Sequence, residues 1–366
     1  MSEHLAEDVF RTAAGTIDVP PAPYDAVVDR SREQRRHRRR LVAGVGAAVL
    51  VLVGAGAWVS SRSSGPDEPG PVRVVAVHNP VANPWYADSR LHLESVVAEI
   101  PDVVDAAEVG ESVVYVDEDG RVAVVDARGT RTFVGSGGPD TGVLGSSENN
   151  WAAWLHHEET GDTSIVVWSV ATDEVLATMD VSPDTRLVAI DQDRVYAEDE
   201  RGAFSWQAGV PGTEAEPIGA QELAGVGSAT RVYQRGRRIE MVQPFFNVSF
   251  VRPGEGAKVS PGGTWVLTRE PGPWEPGSPY RPLLYDTRSG QRLPSGVAPD
   301  ERVVDAAFGP HSDITYLVAN VSDLQGADLD GDIGSLLVLR RCDLESRRCN
   351  DLLPVRTHGG RAMFAD

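Results

Sequence analysis

One uncharged stretch, residues 41–59, divides this chain of 366 residues into two unequal parts. As an α-helix these 19 residues span roughly 28 Å, close to the ~30 Å hydrocarbon core of a bilayer. A helix of this length in a soluble core normally keeps a polar face, and this segment has none. Trp58 lies near its end, where an indole suits the membrane–water interface. We therefore predict a transmembrane helix over residues 41–59.

Basic residues flank this segment unevenly. Seven arginines lie within residues 30–40, whereas the only basic residues within 60–74 are Arg62 and Arg73. The positive-inside rule then makes residues 1–40 a cytoplasmic tail and gives a single-pass protein of the cell membrane with its C-terminal domain extracytoplasmic. The arginines suit contact with anionic lipids of the bilayer. A signal peptide cleaved near residues 55–57 is the alternative, but its first region would be unusually long.

Most of the net charge of −20 belongs to the residues after the apolar segment, because the tail has eight arginines against seven acidic side chains. Such an acidic surface repels phosphates, which argues against a nucleic-acid partner. Its simplest role is solubility, and attraction of basic partners is the alternative. Residues 60–71 are rich in Ser, Gly and Pro, and we predict a flexible linker there.

From residue 72 to residue 366 the chain shows short Val-, Tyr- and Trp-rich runs separated by turns, which predicts β-strands. Residues 113–125 and 193–206 have the pattern of hairpins. Several strands end in a recurring motif. An apolar run is followed by an aromatic or similar residue, which we call the anchor, then by a small polar residue and a turn. The anchors are Val125, Trp168, Trp206, Tyr285 and Cys342.

These anchors are 43, 38, 79 and 57 residues apart, which fits a period near 40 with one degenerate copy and one insertion. Four strands in each period of this length are typical of a propeller blade. Six blades are visible, and residues 72–100 are expected to complete a seventh with the C-terminal residues. We therefore predict an all-β, six- or seven-bladed β-propeller over residues 72–366. A pair of β-sandwiches is the alternative.

Two resemblances to known proteins accompany these patterns. The pairs at 168–169, 285–286 and 342–343 resemble weak forms of the Trp-Asp dipeptide, and residues 260–267 resemble a phrase that opens blades in bacterial membrane-anchored WD40-like repeat proteins. The tail, with Pro-rich residues 19–23 before the arginines, resembles membrane-bound anti-sigma factor-type proteins. It lacks the zinc motif that many of those carry, since no Cys lies in the tail.

The only two cysteines, Cys342 and Cys349, flank a predicted turn. In an oxidising exterior this arrangement favours a disulfide, which stabilises by roughly 2–3 kcal/mol at most. Free thiols and a metal site are the alternatives, although a metal would need further ligands.

Residues with other possible chemistry are few. His156 and His157 are expected in an exposed turn, and a metal or general-base role is the alternative. Asp328, Asp330 and Asp332 have the spacing of a calcium loop, but Ile333 stands where an EF-hand needs Gly, so they are weak metal candidates in a solvated acidic loop. No catalytic or cofactor-binding motif occurs, and no cofactor is expected.

Eight tryptophans occur in the chain. Five of them are expected to pack between blades: Trp151, Trp154, Trp168, Trp206 and Trp265. Trp85 and Trp274 stand in Pro-rich segments, where exposed loop aromatics are candidates for a binding face.

Three functions remain open at this point. The first is a non-enzymatic, membrane-anchored extracytoplasmic propeller that binds a protein, a glycan or a small ligand. The second is a transmembrane sensor or anti-sigma-like regulator that signals through the tail to a cytoplasmic partner. The third is a propeller hydrolase or lyase. The first is preferred, because no cluster of acidic residues or histidines indicates a catalytic channel.

Overall fold

The structure is a computed structural model. It describes residues 72–138, 141–146, 148–158, 160–228, 230–272, 278–310, 312–324, 336–357 and 361–365. The predicted tail (residues 1–40), transmembrane helix (41–59) and linker (60–71) lie outside these residues. A helix long and apolar enough to cross a membrane is not found within the described ranges.

The described strands follow one another along the chain in short hairpins. In the first half they are β1 (Val74–Ala76), β2 (Trp85–Ala87), β3 (Arg90–His92), β4 (Val96–Glu99), β5 (Val103–Val109), β6 (Ser112–Asp117), β7 (Arg121–Val125), β8 (Arg131–Ser136), β9 (Val143–Ser146), β10 (Trp151–His157), β11 (Thr163–Ser169), β12 (Glu174–Val181), β13 (Arg186–Asp191), β14 (Arg194–Asp199) and β15 (Gly202–Gln207).

In the second half they are β16 (Glu216–Gly219), β17 (Leu223–Gly227), β18 (Thr230–Arg235), β19 (Arg238–Gln243), β20 (Val248–Pro253), β21 (Glu255–Val259), β22 (Trp265–Arg269), β23 (Pro282–Asp286), β24 (Arg292–Leu293), β25 (Glu301–Phe308), β26 (Asp313–Asn320), β27 (Leu336–Asp343), β28 (Arg348–Arg356) and β29 (Ala362–Phe364). A 3-10 turn (Pro244–Phe246) and one helical turn, α1 (Val321–Leu324), are the described helical elements.

These strands form seven antiparallel sheets, which are the blades of a β-propeller. Blades B to G each consist of four consecutive strands, starting at β5, β9, β13, β17, β21 and β25. The first strand of each lies innermost and contacts the first strand of the next blade, as β5 contacts β9 and β9 contacts β13. The predicted all-β propeller is therefore confirmed, and the number of blades is seven.

Blade A joins the two ends of the described chain. Its strand order is β1-β4-β3-β2-β29, so the C-terminal strand β29 is the innermost strand of a sheet that the N-terminal strands begin. Trp85 of β2 pairs with Phe364 of β29. This closure confirms the prediction that residues 72–100 and the C-terminal residues complete one blade. Strand β1 adds a fifth strand on the outside.

Apolar side chains fill the spaces between blades, because each sheet buries both of its faces against neighbouring sheets. Trp154 and Trp168 belong to a cluster shared by blades B and C. Trp206 and Trp151 pack in the cluster between blades C and D, and Trp265 packs in the cluster between blades F and G. The five tryptophans expected between blades are therefore found there.

The cysteines form the predicted disulfide. Cys342 of β27 and Cys349 of β28 are directly paired across the two strands, with their Cα atoms 4.0 Å apart. The hairpin register thus brings the two thiols together.

The propeller has two distinct faces. At the start face the innermost strands begin, and the connections between blades lie there together with the turns between second and third strands. At the end face the innermost strands end, and the turns between first and second strands and between third and fourth strands lie there.

The turns that follow the innermost strands share a backbone feature at the end face. In six blades they contain a residue with positive φ. These residues are Gly110, Asn150, Gln192, Ser228, Gly263 and Ser312. At Gly263 the approach is also close, since a Cβ there would lie 2.4 Å from the carbonyl oxygen of Gly227 in blade E.

Candidate binding faces and the channel wall

Two innermost strands carry the same five residues. Residues 103–107 in β5 and residues 303–307 in β25 both read Val-Val-Asp-Ala-Ala. In each strand the register shifts at the second valine, so that Asp105 and Asp305 directly follow a β-bulge. A bulge changes the direction of the side chains beside it. Here it accompanies two aspartates that reach the innermost strand of the following blade.

Asp105 joins blade B to blade C. Its Oδ2 accepts a hydrogen bond of 2.8 Å from the backbone N–H of Val143, the first residue of β9. Burial raises the pKa of Asp105, while the N–H groups of Val143 and Ala106 and the charge of Lys258 act in the opposite direction. The shift shows that desolvation of the carboxylate outweighs its hydrogen bonds.

Asp305 joins blade G to blade A. Its Oδ2 accepts a hydrogen bond of 2.7 Å from the N–H of Phe364 in the closing strand β29, and its Oδ1 accepts one of 2.8 Å from the N–H of Ala306. Lys258 of blade F lies 3.0 Å from the same Oδ1 and also donates to the carbonyl oxygen of Ala306. Lys258 is the one lysine in the sequence. This pair therefore connects three consecutive blades.

A third carboxylate makes a joint of the same kind. The Oε2 of Glu198 in blade D accepts a hydrogen bond of 2.8 Å from the N–H of Leu223, the first residue of β17 in blade E. Arg186 pairs with Glu198 at 3.2 Å and donates to the carbonyl oxygen of Leu223. These contacts hold Asp105, Asp305, Glu198 and their cationic partners in joints between blades.

The paired histidines are not in a turn, contrary to expectation. His156 and His157 are the last two residues of β10, which extends further than the sequence indicated. The Nδ1 of His156 lies 2.7 Å from the carbonyl oxygen of Ser136, and the Nδ1 of His157 lies 3.0 Å from the Thr163 hydroxyl. Among the described residues no group of three or more His, Cys, Asp or Glu is placed to hold a metal ion.

Trp85 is not an exposed loop aromatic, and that part of the prediction is wrong. It lies in β2 and is 3 % exposed. Its Nε1 donates a hydrogen bond of 3.0 Å to Asn79, and the ring of His92 stacks on it with centroids 3.5 Å apart. Burial lowers the pKa of His92 to about 4. The covering strand β29 comes from the far end of the chain, so the local sequence around Trp85 does not reveal its burial.

The remaining candidates lie outside the described residues. These are Trp274 and the acidic residues Asp328, Asp330 and Asp332. The described strands on either side of them, β22 with β23 and β26 with β27, belong to the neighbouring blades F and G. Binding at Trp274 and calcium binding at the acidic residues stay predictions.

A set of exposed apolar side chains lies on the end face. Phe246 is 73 % exposed, Val175 53 %, Val210 45 % and Leu176 43 %. All four lie in or directly after the turn between the third and fourth strands of blades C, D and E. We call these four residues the C–E rim. Trp151 of blade C connects this region to blade D, since a Cβ at Gly209, next to Val210, would lie 3.0 Å from its ring.

The backbone explains why these side chains are exposed. Phe246 ends the 3-10 turn that Pro244 begins, and Asn247 then adopts a left-handed conformation. Leu176 is the extra residue of a β-bulge, because Trp168 pairs with Val175 and Val167 with Ala177. The rim was not predicted from the sequence. The one available signal was the Pro-Phe-Phe-Asn segment, residues 244–247, which has turn residues around two aromatic side chains.

Comparison with known proteins supports the fold. No family model matches the sequence, and no curated protein matches it. The structure is similar to the β-propeller domain of the Trilobed protease from Pyrococcus furiosus, with a TM-score of 0.53, 9 % identity and coverage of 78 % of this chain and 98 % of that one.

Two further solved structures resemble it less closely. The WD40 β-propeller domain of Doa1 has a TM-score of 0.43 and 14 % identity, and the match covers 79 % of this chain and 94 % of that one. An oligogalacturonate lyase in complex with manganese has a TM-score of 0.42 and 10 % identity, with coverage of 68 % and 93 %.

The chain therefore has a WD40-like β-propeller fold with seven blades. Propellers with this fold include enzymes and non-enzymatic proteins, so the fold alone does not decide between them. A rigid ring that presents loops on two faces supports a binding or scaffold role.

Proposed function

We propose that this protein is a non-enzymatic, membrane-anchored β-propeller whose extracytoplasmic domain binds a protein, a glycan or a small ligand. The observation that carries the proposal is the use of the charged side chains on the innermost strands. Asp105, Asp305 and Lys258 are held in hydrogen bonds between blades. These side chains of the innermost strands stabilise the propeller, and we assign ligand recognition to the loops and rims of the two faces.

The location rests on two independent features. Seven arginines precede residues 41–59, which orients the predicted helix with the tail in the cytoplasm. The Cys342–Cys349 disulfide suits an oxidising compartment outside the cytoplasm. Both features favour the same side of the membrane for the propeller.

A labelling experiment on intact cells tests this location. Ser2→Cys places a thiol in the tail, and Glu118→Cys places one in the exposed turn after β6. We expect a membrane-impermeant maleimide to label the residue 118 variant in intact cells and the residue 2 variant only after permeabilisation. Labelling of residue 2 in intact cells, or of neither residue before permeabilisation, would overturn the proposed topology. The unaltered chain is the control, since its two cysteines are joined.

Non-enzymatic action is tested on the purified protein. We expect no turnover above that of a heat-unfolded sample when it is offered chromogenic ester, peptide, phosphate and glycoside substrates, or polygalacturonate for lyase activity. Turnover that follows the folded fraction of the protein would contradict the proposal and revive the hydrolase or lyase alternative.

A second candidate function is a transmembrane sensor that signals through residues 1–40. It is favoured by a tail in which Leu5, Val9 and Ala13 are four residues apart, as on one face of a short helix, and which ends in the arginine cluster. The test compares proteins retained from membranes by the full chain with those retained by a chain that lacks residues 1–40. A cytoplasmic regulator retained by the full chain alone supports the sensor, and identical sets exclude it.

A further inference from the structure

The C–E rim is the strongest concentration of exposed apolar surface in the described part of the chain. Four of the nine large apolar side chains that are exposed there belong to it: Val175, Leu176, Val210 and Phe246. They lie on one face of three consecutive blades. Exposed apolar side chains that concentrate on one face of a domain indicate an interaction site.

The rim is presented by defined backbone. Pro244 and the left-handed Asn247 fix both ends of the turn that carries Phe246. The bulge at Leu176 lies inside a ladder in which β12 pairs with β11 along its whole length. A backbone that is already ordered loses little conformational entropy on binding, which favours the use of its side chains as anchors.

Exposed acidic residues adjoin the rim in blades C and D. Asp173 and Glu174 directly precede Val175, and Glu214 lies in the same turn as Val210. Within the described residues no ion pair involves these three carboxylates. The nearby Arg194 is paired with Glu216 at 2.7 Å. A partner that covers the rim must therefore supply apolar contacts and positive charge together.

This charge selects among possible occupants. An anionic lipid surface would bring its phosphates to these carboxylates, and a symmetric contact with a second copy would place acidic rim against acidic rim. A protein segment with Arg or Lys beside apolar residues meets both requirements. We propose that the C–E rim binds such a cationic, apolar protein segment. This inference rests on the proposed binding function and names its surface and the chemistry of its partner.

Site-specific photo-crosslinking in the full chain, expressed in membranes of its own cells, tests the surface. A photoreactive amino acid replaces Phe246 or Val210, and the matched control carries it at Leu336, which is 47 % exposed at the start of β27 on the other face. We expect both rim positions to crosslink to one protein segment that contains basic and apolar residues, while position 336 does not. Mapping by mass spectrometry identifies the segment.

A synthetic peptide of the mapped segment then tests the chemistry on the purified full chain in detergent. We expect Phe246→Ala to weaken its binding about tenfold and Leu336→Ala to leave it unchanged. Glu174→Gln combined with Glu214→Gln is expected to reduce the dependence of binding on salt concentration. Thermal unfolding of each variant should match that of the unaltered chain, because all these side chains are exposed.

The other outcomes overturn the inference. These are crosslinks to lipid, to a second copy of this chain or to an acidic or uncharged segment, equal crosslinking at residue 336, and no crosslinking at the rim. They are distinguishable from failure of the proposed function, since labelling at residue 118 reports the topology independently of the rim.

Discussion

Asp105 joins blade B to blade C, and Asp305 joins blade G to blade A. The two joints have the same local sequence but differ in the strand that receives the aspartate. In both, an aspartate after a bulge accepts a backbone N–H from the next innermost strand. At both joints the chain also runs directly into the receiving strand, from β8 into β9 and from β28 into β29. The strand β29 differs because the remaining strands of its blade come from residues 74–99. Asp305 therefore helps to hold the ring closed.

The electrostatics of the two joints differ accordingly. Asp305 has the ammonium group of Lys258 at 3.0 Å, and its carboxylate is thereby neutralised at short range. For Asp105, burial dominates and raises the pKa of the carboxyl. The same sequence thus gives one joint with an ion pair and one joint in which burial disfavours the charged form of the aspartate. The ion pair is therefore found at the joint that the closing strand makes.

The largest expected effect comes from removing each carboxylate in turn. Asp305→Ala removes the carboxylate that pairs with Lys258 and the acceptor of the Phe364 N–H, and we expect the free energy of unfolding to fall by about 3 kcal/mol. Asp105→Ala leaves only backbone N–H groups without an acceptor, and we expect a loss of about 1–2 kcal/mol. Denaturant unfolding of the two variants measures the difference. Equal losses would show that the Asp305 joint contributes no more to stability than the Asp105 joint.

Replacing Lys258 by Met isolates the ion pair. We expect Lys258→Met to lower the free energy of unfolding by about 1–2 kcal/mol, because Asp305 keeps two N–H donors but loses its cation. Combined with Asp305→Asn, the loss should be smaller than the sum by about 1 kcal/mol. The control is Lys258→Met combined with Asp105→Asn. Coupling as large in this control would mean that Lys258 serves both joints equally.

The dependence of the free energy of unfolding on pH tests whether the buried charge of Asp105 destabilises its joint. Because the folded pKa of Asp105 is raised, its favourable contribution is present below the unfolded pKa of about 3.9 and is lost as pH rises through the folded pKa. Asp105→Asn keeps an acceptor for Val143 without this loss. We expect its stability relative to the unaltered chain to improve as pH rises above the unfolded pKa of about 3.9, as measured by urea unfolding at a series of pH values. Asp305→Asn is the comparison variant, because it removes the carboxylate that pairs with Lys258. An equal improvement in that variant would undo the distinction between the joints.

The sequence was informative where structure is local or periodic. The period near 40 predicted the blades, and the apolar runs of residues 72–100 predicted that they complete the last blade. The disulfide followed from two cysteines on either side of one turn. All three depend on neighbours along the chain or on repetition, which a single sequence displays.

The joints and the rim depend on contacts that the sequence does not display. Asp105 and Val143 are 38 residues apart, and Asp305 and Phe364 are 59 apart. Only the repeated Val-Val-Asp-Ala-Ala marked them. Trp85 was misplaced because its cover, β29, lies at the opposite end of the chain. Exposure of Leu176 depends on a bulge that no residue pattern specifies, and exposure of Phe246 was indicated only by the Pro-Phe-Phe-Asn segment.

The smallest effect is expected on the other side of the closing strand. Arg361, just before β29, donates from Nη1 to the carbonyl oxygen of Val104 at 2.9 Å and so connects β29 to the bulge of blade B. Arg361 is exposed, and we expect Arg361→Ala to lower the free energy of unfolding by only about 0.5 kcal/mol. Hydrogen exchange should nevertheless speed up at the amides of β29 more than at those of β9, because β9 is continuous with its own blade. Arg361→Lys, which keeps a donor, is the control. Unchanged exchange in β29 would mean that Arg361 does not help to hold the closing strand.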